Sequence, residues 1–397
     1  ACREVTPAPV SPVTETWISS GSEAVCLDHG PVVIGERINP TGKPRLKRAL
    51  RSRDIGLLQQ EAVQQAERGA DVLDVNVGLP DIDEEALLPE AVQAVQAVCD
   101  LPVQIDTASP AAMEAALRRC NGIPLLNSVS GKRESLEKVL PLAKKYGGVV
   151  VGLLLDEGGI PETAEGRVEI ARRIVRAAED LGIPRRNLVL DALTMTISTG
   201  SDNARVTLEA LRRCKQELGV RTVLGVSNIS FGLPQRETVN AAFLTMALAA
   251  GLDAAILNPM SEAMMRAFRA SLALTGADAQ CGRYIAFAAE EQEAGARPAL
   301  ATQIENLEQY ATIFLGYPNW WGDMPQALYT FLESYDLSGK SIIPFCPHGG
   351  SGFSRTQSTI AELQPNATVR EDGLALSRND VADSAEQVTA WAQGLGL

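Results

Sequence analysis

The feature that most narrows the fold is an alternation that begins at Val32, in which short apolar, β-branched runs take turns with longer amphipathic stretches. The runs are Val32–Ile34, Val72–Val75, Val103–Ile105, Pro124–Leu126, Val149–Leu154, Leu188–Leu190, Thr222–Val226 and Ala254–Leu257. Helical stretches are expected around Pro44–Arg68, Glu84–Val98, Pro110–Cys120, Lys132–Tyr146, Ala164–Leu181, Asn203–Leu218, Arg236–Ala250 and Ser261–Leu274. Several open on a cap signal such as Ser109-Pro110, and Gly69, Gly147, Gly182, Gly219, Gly251 and Gly276 mark their ends. Eight strand-then-helix units in about 245 residues predict an α/β fold of the closed (β/α)8 type, because an open doubly wound sheet usually stops at five or six strands.

In a parallel barrel, ligands meet the carboxyl ends of the strands, so the residues there carry the functional information. Here they are polar: Glu36 and Asn39, Asp74 and Asn76, Asp106, Asn127, Asp191, Ser227-Asn228, and Asn258. Asn and Asp also end strands simply because they favour turns. Seven of eight strands doing so in one ring points instead to a shared pocket. Asp106 and Asp191 follow apolar runs directly, and a carboxylate in that position must accept donors or be neutralised.

The ring holds acceptors and amides but no His, Lys or Cys, which argues against a Schiff-base lysine, a His-bound metal or a thiol nucleophile. A small flat heterocycle rich in N–H donors and ring nitrogens fits best. A Mg2+ ion is the rival occupant, since Asp, Glu and Asn suit a hard cation, but the amides outnumber what that ion recruits. No metal is therefore assigned.

A net charge of −13 argues against a nucleic-acid partner, and no apolar run reaches the roughly 18 residues of a membrane span. A cytoplasmic location is expected. The seven cysteines are scattered without a C-x-x-C pair, so packing thiols rather than structural zinc are expected. Residues 1 to 31, with Pro7, Pro9 and Pro12, read as a linker. Lys43, Arg45, Lys47 and Arg48 read as a solvated helix face, although a folate glutamate tail is another partner for them.

The strand-end segments resemble the pterin-binding methyltransferase family, and within it the folate module of cobalamin-dependent methionine synthases. The resemblance spans about residues 32 to 276. It is carried by Gly35-Glu36-Arg37-Ile38-Asn39-Pro40, Leu73-Asp74-Val75-Asn76-Val77-Gly78, Gln104-Ile105-Asp106-Thr107, Leu126-Asn127-Ser128, Leu190-Asp191 and Ile256-Leu257-Asn258-Pro259. It is most specific at Gly225-Val226-Ser227-Asn228-Ile229-Ser230-Phe231-Gly232-Leu233-Pro234.

The resemblance implies that Asp106, Asn127 and Asp191 hold the aminopyrimidine and amide edge of a pterin, with Ser227 beside them and Asn228 near N5. Glu36, Asn39, Asp74, Asn76 and Asn258 would support the pocket. It implies methyltetrahydrofolate as substrate, with the N5 methyl group donated to a cobalamin carried by a separate corrinoid-binding domain or protein. Asn228 and Asp106 are the residues expected to serve the transfer itself, and the source of the proton that N5 needs stays open. A methyltetrahydrofolate:corrinoid iron–sulfur protein methyltransferase, a folate-binding module without turnover, and a dihydropteroate synthase remain as alternatives. A second copy of the chain is also an admissible partner.

After a junction at residues 289–298, residues 299–397 resemble the later part of a flavodoxin-like domain, through Ile313–Gly322 and Phe345–Gly352. Trp320, Trp321, Gly349 and Gly350 would be the flavin-side positions. The family's first strand and Ser/Thr-rich phosphate loop have no counterpart, so a truncated segment of about three strands is expected and FMN is not expected of this chain alone. The expected elements are strands at Thr312–Leu315 and Ser341–Phe345 and helices at Met324–Leu332, Gln357–Leu363 and Ala382–Leu395.

Overall fold

A computed structural model describes residues 13–293, 295–300, 302–320 and 322–396, which divide into one unit up to Gly282 and a second from Arg283 onward. In the first unit, eight parallel strands close into a barrel, the last pairing with the first. Ahead of them lies an antiparallel hairpin of β1 (Trp17–Ser19) and β2 (Ala24–Cys26). The barrel strands are β3 (Val32–Ile38), β4 (Val72–Val75), β5 (Val103–Asp106), β6 (Leu125–Ser130), β7 (Val149–Leu153), β8 (Leu188–Asp191), β9 (Arg221–Gly225) and β10 (Ala254–Leu257).

Side chains two apart on a strand share a face, and this parity sorts the barrel wall. Val32, Ile34, Val72, Leu125, Val149, Val151, Val189, Val223 and Ala254 pack with one another inside the barrel. Their neighbours Val33, Leu73, Val75, Val103, Ile105, Leu126, Val150, Leu190, Leu224 and Ala255 face the surrounding helices in a larger cluster. Continued up the strands, the inward parity falls on Glu36, Asp74, Asn76, Gln104, Asp106, Asn127, Asp191 and Asn258. One alternation therefore builds a dry floor and, directly above it, a polar layer.

Two register shifts adjust that layer. β3 runs to Ile38 rather than stopping at Ile34, with a shift between Gly35 and Ile38, and β6 runs to Ser130 with a shift between Asn127 and Val129. Such irregularities re-aim side chains at barrel rims.

The reading of residues 1 to 31 as a linker is corrected for its described part. Ile18 and Leu27 of the hairpin segment are 0% and 1% exposed and join the interior cluster of Val32, Ile34 and Val72. The pattern escaped notice because three-residue strands carry only one or two inward positions. Pro7 and Pro9 lie outside the described residues.

In the second unit, β11 (Thr312–Gly316), β12 (Ser341–His348), β13 (Thr368–Val369) and β14 (Leu374–Ser377) form a parallel sheet. β13 and β14 share one flank of β12, opposite β11, so the sheet has four strands rather than the three expected. Met324, Phe331, Leu332, Leu337, Ile342 and Ile360 make its core. Among the described residues, no helix is long and apolar enough to cross a membrane.

Candidate functional site

Asp106 and Asn127 are Cα partners on neighbouring strands, and the pairing of Leu153 with Asp191 carries the same rim on to β8. Asn76 donates its amide to Asp106 Oδ2 at 2.9 Å, and Asn39 reaches the same oxygen at 3.5 Å. Asn39 also hydrogen-bonds Asp74, whose other partner is Gln104: Nε2 donates to Asp74 Oδ1 at 2.7 Å. On β3, next to the strand of Asp74, Glu36 is hydrogen-bonded by Ser227. Six of the expected residues, Glu36, Asn39, Asp74, Asn76, Asp106 and Ser227, thus fall into hydrogen-bonded groups within one barrel mouth.

Burial dominates the electrostatics here. It pushes the Asp106 carboxyl up to about 6, against the opposing hydrogen bond from Asn76. It does the same for Asp191, also to about 6, opposed by the Leu193 N–H and the Arg167 charge. Asp74 is held well above the usual carboxylate range by burial first and by the Asp106 charge second. Glu36 is raised by burial, which Lys43, Arg37 and Arg236 partly offset. A mouth lined by acids that take up protons near neutrality can accept N–H donors when ionised and hold protons when not.

The other expected residues stand differently. Asp191 Oδ1 accepts the Leu193 N–H at 2.7 Å, a local bond that leaves its second oxygen for a ligand. Asn228 is exposed in a 3-10 turn, Val226–Ser230, just past β9. A side chain at Gly225 would crowd it, since an added Cβ would lie 3.1 Å from Asn228 Nδ2, so the glycine leaves room for the amide. Asn258 spends its Oδ1 on the Met260 N–H at 3.1 Å, which is a turn role.

Four contributors to the mouth or its support were not assigned that role from the sequence, Lys43 having been read as part of a solvated helix face. Lys43 is no freely solvated cation: Nζ donates to the carbonyls of Glu36 and Asn39 at 2.7 and 3.1 Å, and burial lowers its pKa. The mouth therefore does contain a lysine, supplied by the turn after β3 rather than by a strand end. Arg236 donates to the Ser227 carbonyl and Ser230 Oγ and stacks over the Phe231 ring at 4.6 Å. Gln104 is fully buried beneath Asp106.

The fourth, Arg167, is 2% exposed and binds the carbonyls of Pro161, Ala192 and Leu193 together with Thr207 Oγ1, fixing the turn after Asp191. A charged residue at an inward helix position was the available signal for it.

In the second unit, Asn319, Trp320, Gly322, His348, Gly350 and Arg378 are among the residues lining a cavity of about 800 Å3. Trp321 lies outside the described residues. The described chain from residue 295 to β11 holds a single short 3-10 turn, Leu307–Gln309, and no strand–loop–helix unit that could cradle a phosphate.

Residues 35–258 match the family model of pterin binding enzymes, and residues 242–395 match that of flavodoxin, the first part of the second match falling on the barrel. A methylcorrinoid:tetrahydrofolate methyltransferase of Eubacterium limosum is 32% identical over 259 residues, covering 64% of this chain and 94% of that protein. The methionine synthase of Mycobacterium tuberculosis is 33% identical over 244 residues, covering 58% of this chain but only 20% of that protein. Among solved structures, the dihydropteroate synthase of Xanthomonas albilineans aligns at TM-score 0.52 with 22% identity, covering 65% of this chain and 98% of that one. The Yersinia pestis enzyme aligns at TM-score 0.51 with 17% identity, covering 66% and 99%. At these identities the two structures speak for the fold alone.

Proposed function

The chain belongs to the pterin binding enzyme family, and we propose that its barrel binds 5-methyltetrahydrofolate and serves transfer of the N5 methyl group to a corrinoid carried by a separate domain or protein. The observation that carries this reading is the ring of inward acids and amides, with Asp106 and Asn127 side by side and Asp191 two strands further on. Carboxylates accept from the pterin's amino and ring N–H groups, while Asn127 both donates and accepts, as the amide edge of a pterin requires.

A tertiary amine leaves poorly until its nitrogen gains positive character, so transfer needs a proton at N5. Asn228, exposed at the rim, is the residue assigned to accept a hydrogen bond from that proton. Asp106, raised to about 6, gives the mouth an acid able to hold a proton near neutral pH. Lys43 and Arg236 keep Glu36 from becoming an uncompensated charge. A corrinoid, when docked, supplies the cobalt centre that takes the methyl group. A catalyst speeds both directions, so the name of the Eubacterium limosum relative, which puts the methyl on the corrinoid, describes the same chemistry reversed.

The chain spans nearly all of the Eubacterium limosum protein and about a fifth of the mycobacterial methionine synthase. For FMN the fit is incomplete: the second unit has aromatic and glycine-rich loops around its cavity but no phosphate cradle among its described residues. We propose no flavin chemistry for it.

The test is to mix the chain with 5-methyltetrahydrofolate and reduced cobalamin and follow the corrinoid spectrum. Formation of methylcobalamin that depends on the protein is expected. Folate binding without any methyl exchange would reduce the chain to a binding module.

A further inference from the structure

Glu15, Cys26 and His29 meet at the N-terminal hairpin, just ahead of the first barrel strand. One carboxylate oxygen, the thiol sulfur and one ring nitrogen of these residues all lie within 4.8 Å of one another. The hairpin produces this convergence. Trp17 pairs with Cys26 across β1 and β2, so Glu15, two residues before Trp17, faces the turn that follows Cys26. That turn is tight: the His29 N–H donates to the Cys26 carbonyl at 3.4 Å, which folds the Cys26–His29 segment back on itself.

The neighbours orient the three groups. Trp17 Nε1 donates to one oxygen of Glu15 at 3.0 Å, leaving the other at 3.2 Å from His29 Nε2. The Trp17 ring stands edge-on to the His29 ring, with centroids 5.5 Å apart. Asp28 is committed elsewhere, to the Thr16 N–H and to Arg221. Sulfur, imidazole and carboxylate from one compact turn form the donor set of a borderline divalent cation.

We propose that Glu15, Cys26 and His29 bind one zinc-class divalent ion, with a fourth position left to solvent. On binding, the Cys26 thiol gives its proton to solvent and the Glu15–His29 contact is replaced by two bonds to the ion. The ion ties the segment ahead of β1 to the turn after β2, and so fixes the hairpin whose Ile18 and Leu27 pack into the barrel interior. Its role is structural, and it stands independently of the folate reading. The spacing escaped the cysteine count because a single Cys-x-x-His pair with a distant Glu carries no recognisable pattern.

The test is an anaerobic titration of the full chain with Co2+, monitored by absorption. One equivalent should produce a sulfur-to-cobalt band in the near ultraviolet with visible bands of a four-coordinate ion, and Zn2+ should displace it. Cys26→Ser should abolish the near-ultraviolet band, His29→Ala should weaken binding at least tenfold, and Cys281→Ser should change nothing. His29 is exposed, so its variant tests the site even if the Cys26 variant folds poorly. Absence of the band in the unaltered chain, or its survival in Cys26→Ser, would overturn the proposal.

Discussion

Gln104 Nε2 donates to Asp74 Oδ1 across 2.7 Å where the two residues are 0% and 3% exposed, one layer beneath the rim of the barrel. An acid with so little water around it and a second carboxyl, Asp106, nearby is held well above its usual range. Asp74→Asn keeps the shape and removes the ionisation cost, so unfolding by urea at pH 8 should show no loss of stability. Gln104→Leu instead removes one of the two amide donors to Asp74, leaving only that of Asn39, and should cost about 1–3 kcal/mol.

The pH dependence follows from Asp106 and Asp191, both pushed up to about 6 by burial. An aspartate in an unfolded chain titrates near ~3.9, so between the two values the folded chain binds more protons than the unfolded one. The contribution of these groups is therefore full below about pH 4. It falls as pH rises through 6 and then stays level. Asp191→Asn should flatten part of that slope, by roughly 2 kcal/mol at most, in denaturation curves taken from pH 4 to pH 8. Folate affinity should run the other way, improving as pH rises through about 6, because the ionised carboxylates are the better acceptors for pterin N–H groups.

Arg167 links stability to the site. Its guanidinium satisfies the carbonyls of Ala192 and Leu193 immediately after Asp191. Arg167→Met should lower stability by about 3 kcal/mol, since these buried carbonyls lose a charged donor. It should also weaken folate binding while leaving the methyl-transfer rate at saturating folate less affected. Denaturation and single-turnover kinetics on the same preparation separate the two effects.

Ile18 tests the hairpin. Fully buried against the barrel interior, its truncation in Ile18→Ala should cost about 2–4 kcal/mol in chemical denaturation. A loss below ~0.5 kcal/mol, the range of ordinary surface changes, would mean that the hairpin is dispensable to the barrel.

The barrel was legible because eight alternations repeat one physical rule, and parity then places Asp74, Asp106, Asn127 and Asp191 on the inner face without further information. What stayed hidden depends on chain reversal rather than period. Lys43 sits at the start of a helix that begins at Pro44, and nothing in its neighbours' polarity tells that its side chain turns back to the carbonyls of Glu36 and Asn39. Asn258 matched the strand-end rule yet serves its own turn, so that rule alone cannot separate a ligand from a cap. β13 and β14 were missed because two- and four-residue strands on one flank of β12 leave too short a pattern to register.

The most direct measurement is calorimetric titration of the full chain with 5-methyltetrahydrofolate, on the unaltered protein and on Asp106→Ala, Asn127→Ala, Asp191→Ala and Asn228→Ala. One site per chain is predicted, with affinity lowered at least tenfold in the first three variants and within about threefold of the parent in Asn228→Ala, whose deficit should appear in methyl transfer. Folate binding that is absent in the unaltered chain, or indifferent to Asp106, Asn127 and Asp191, would contradict the account.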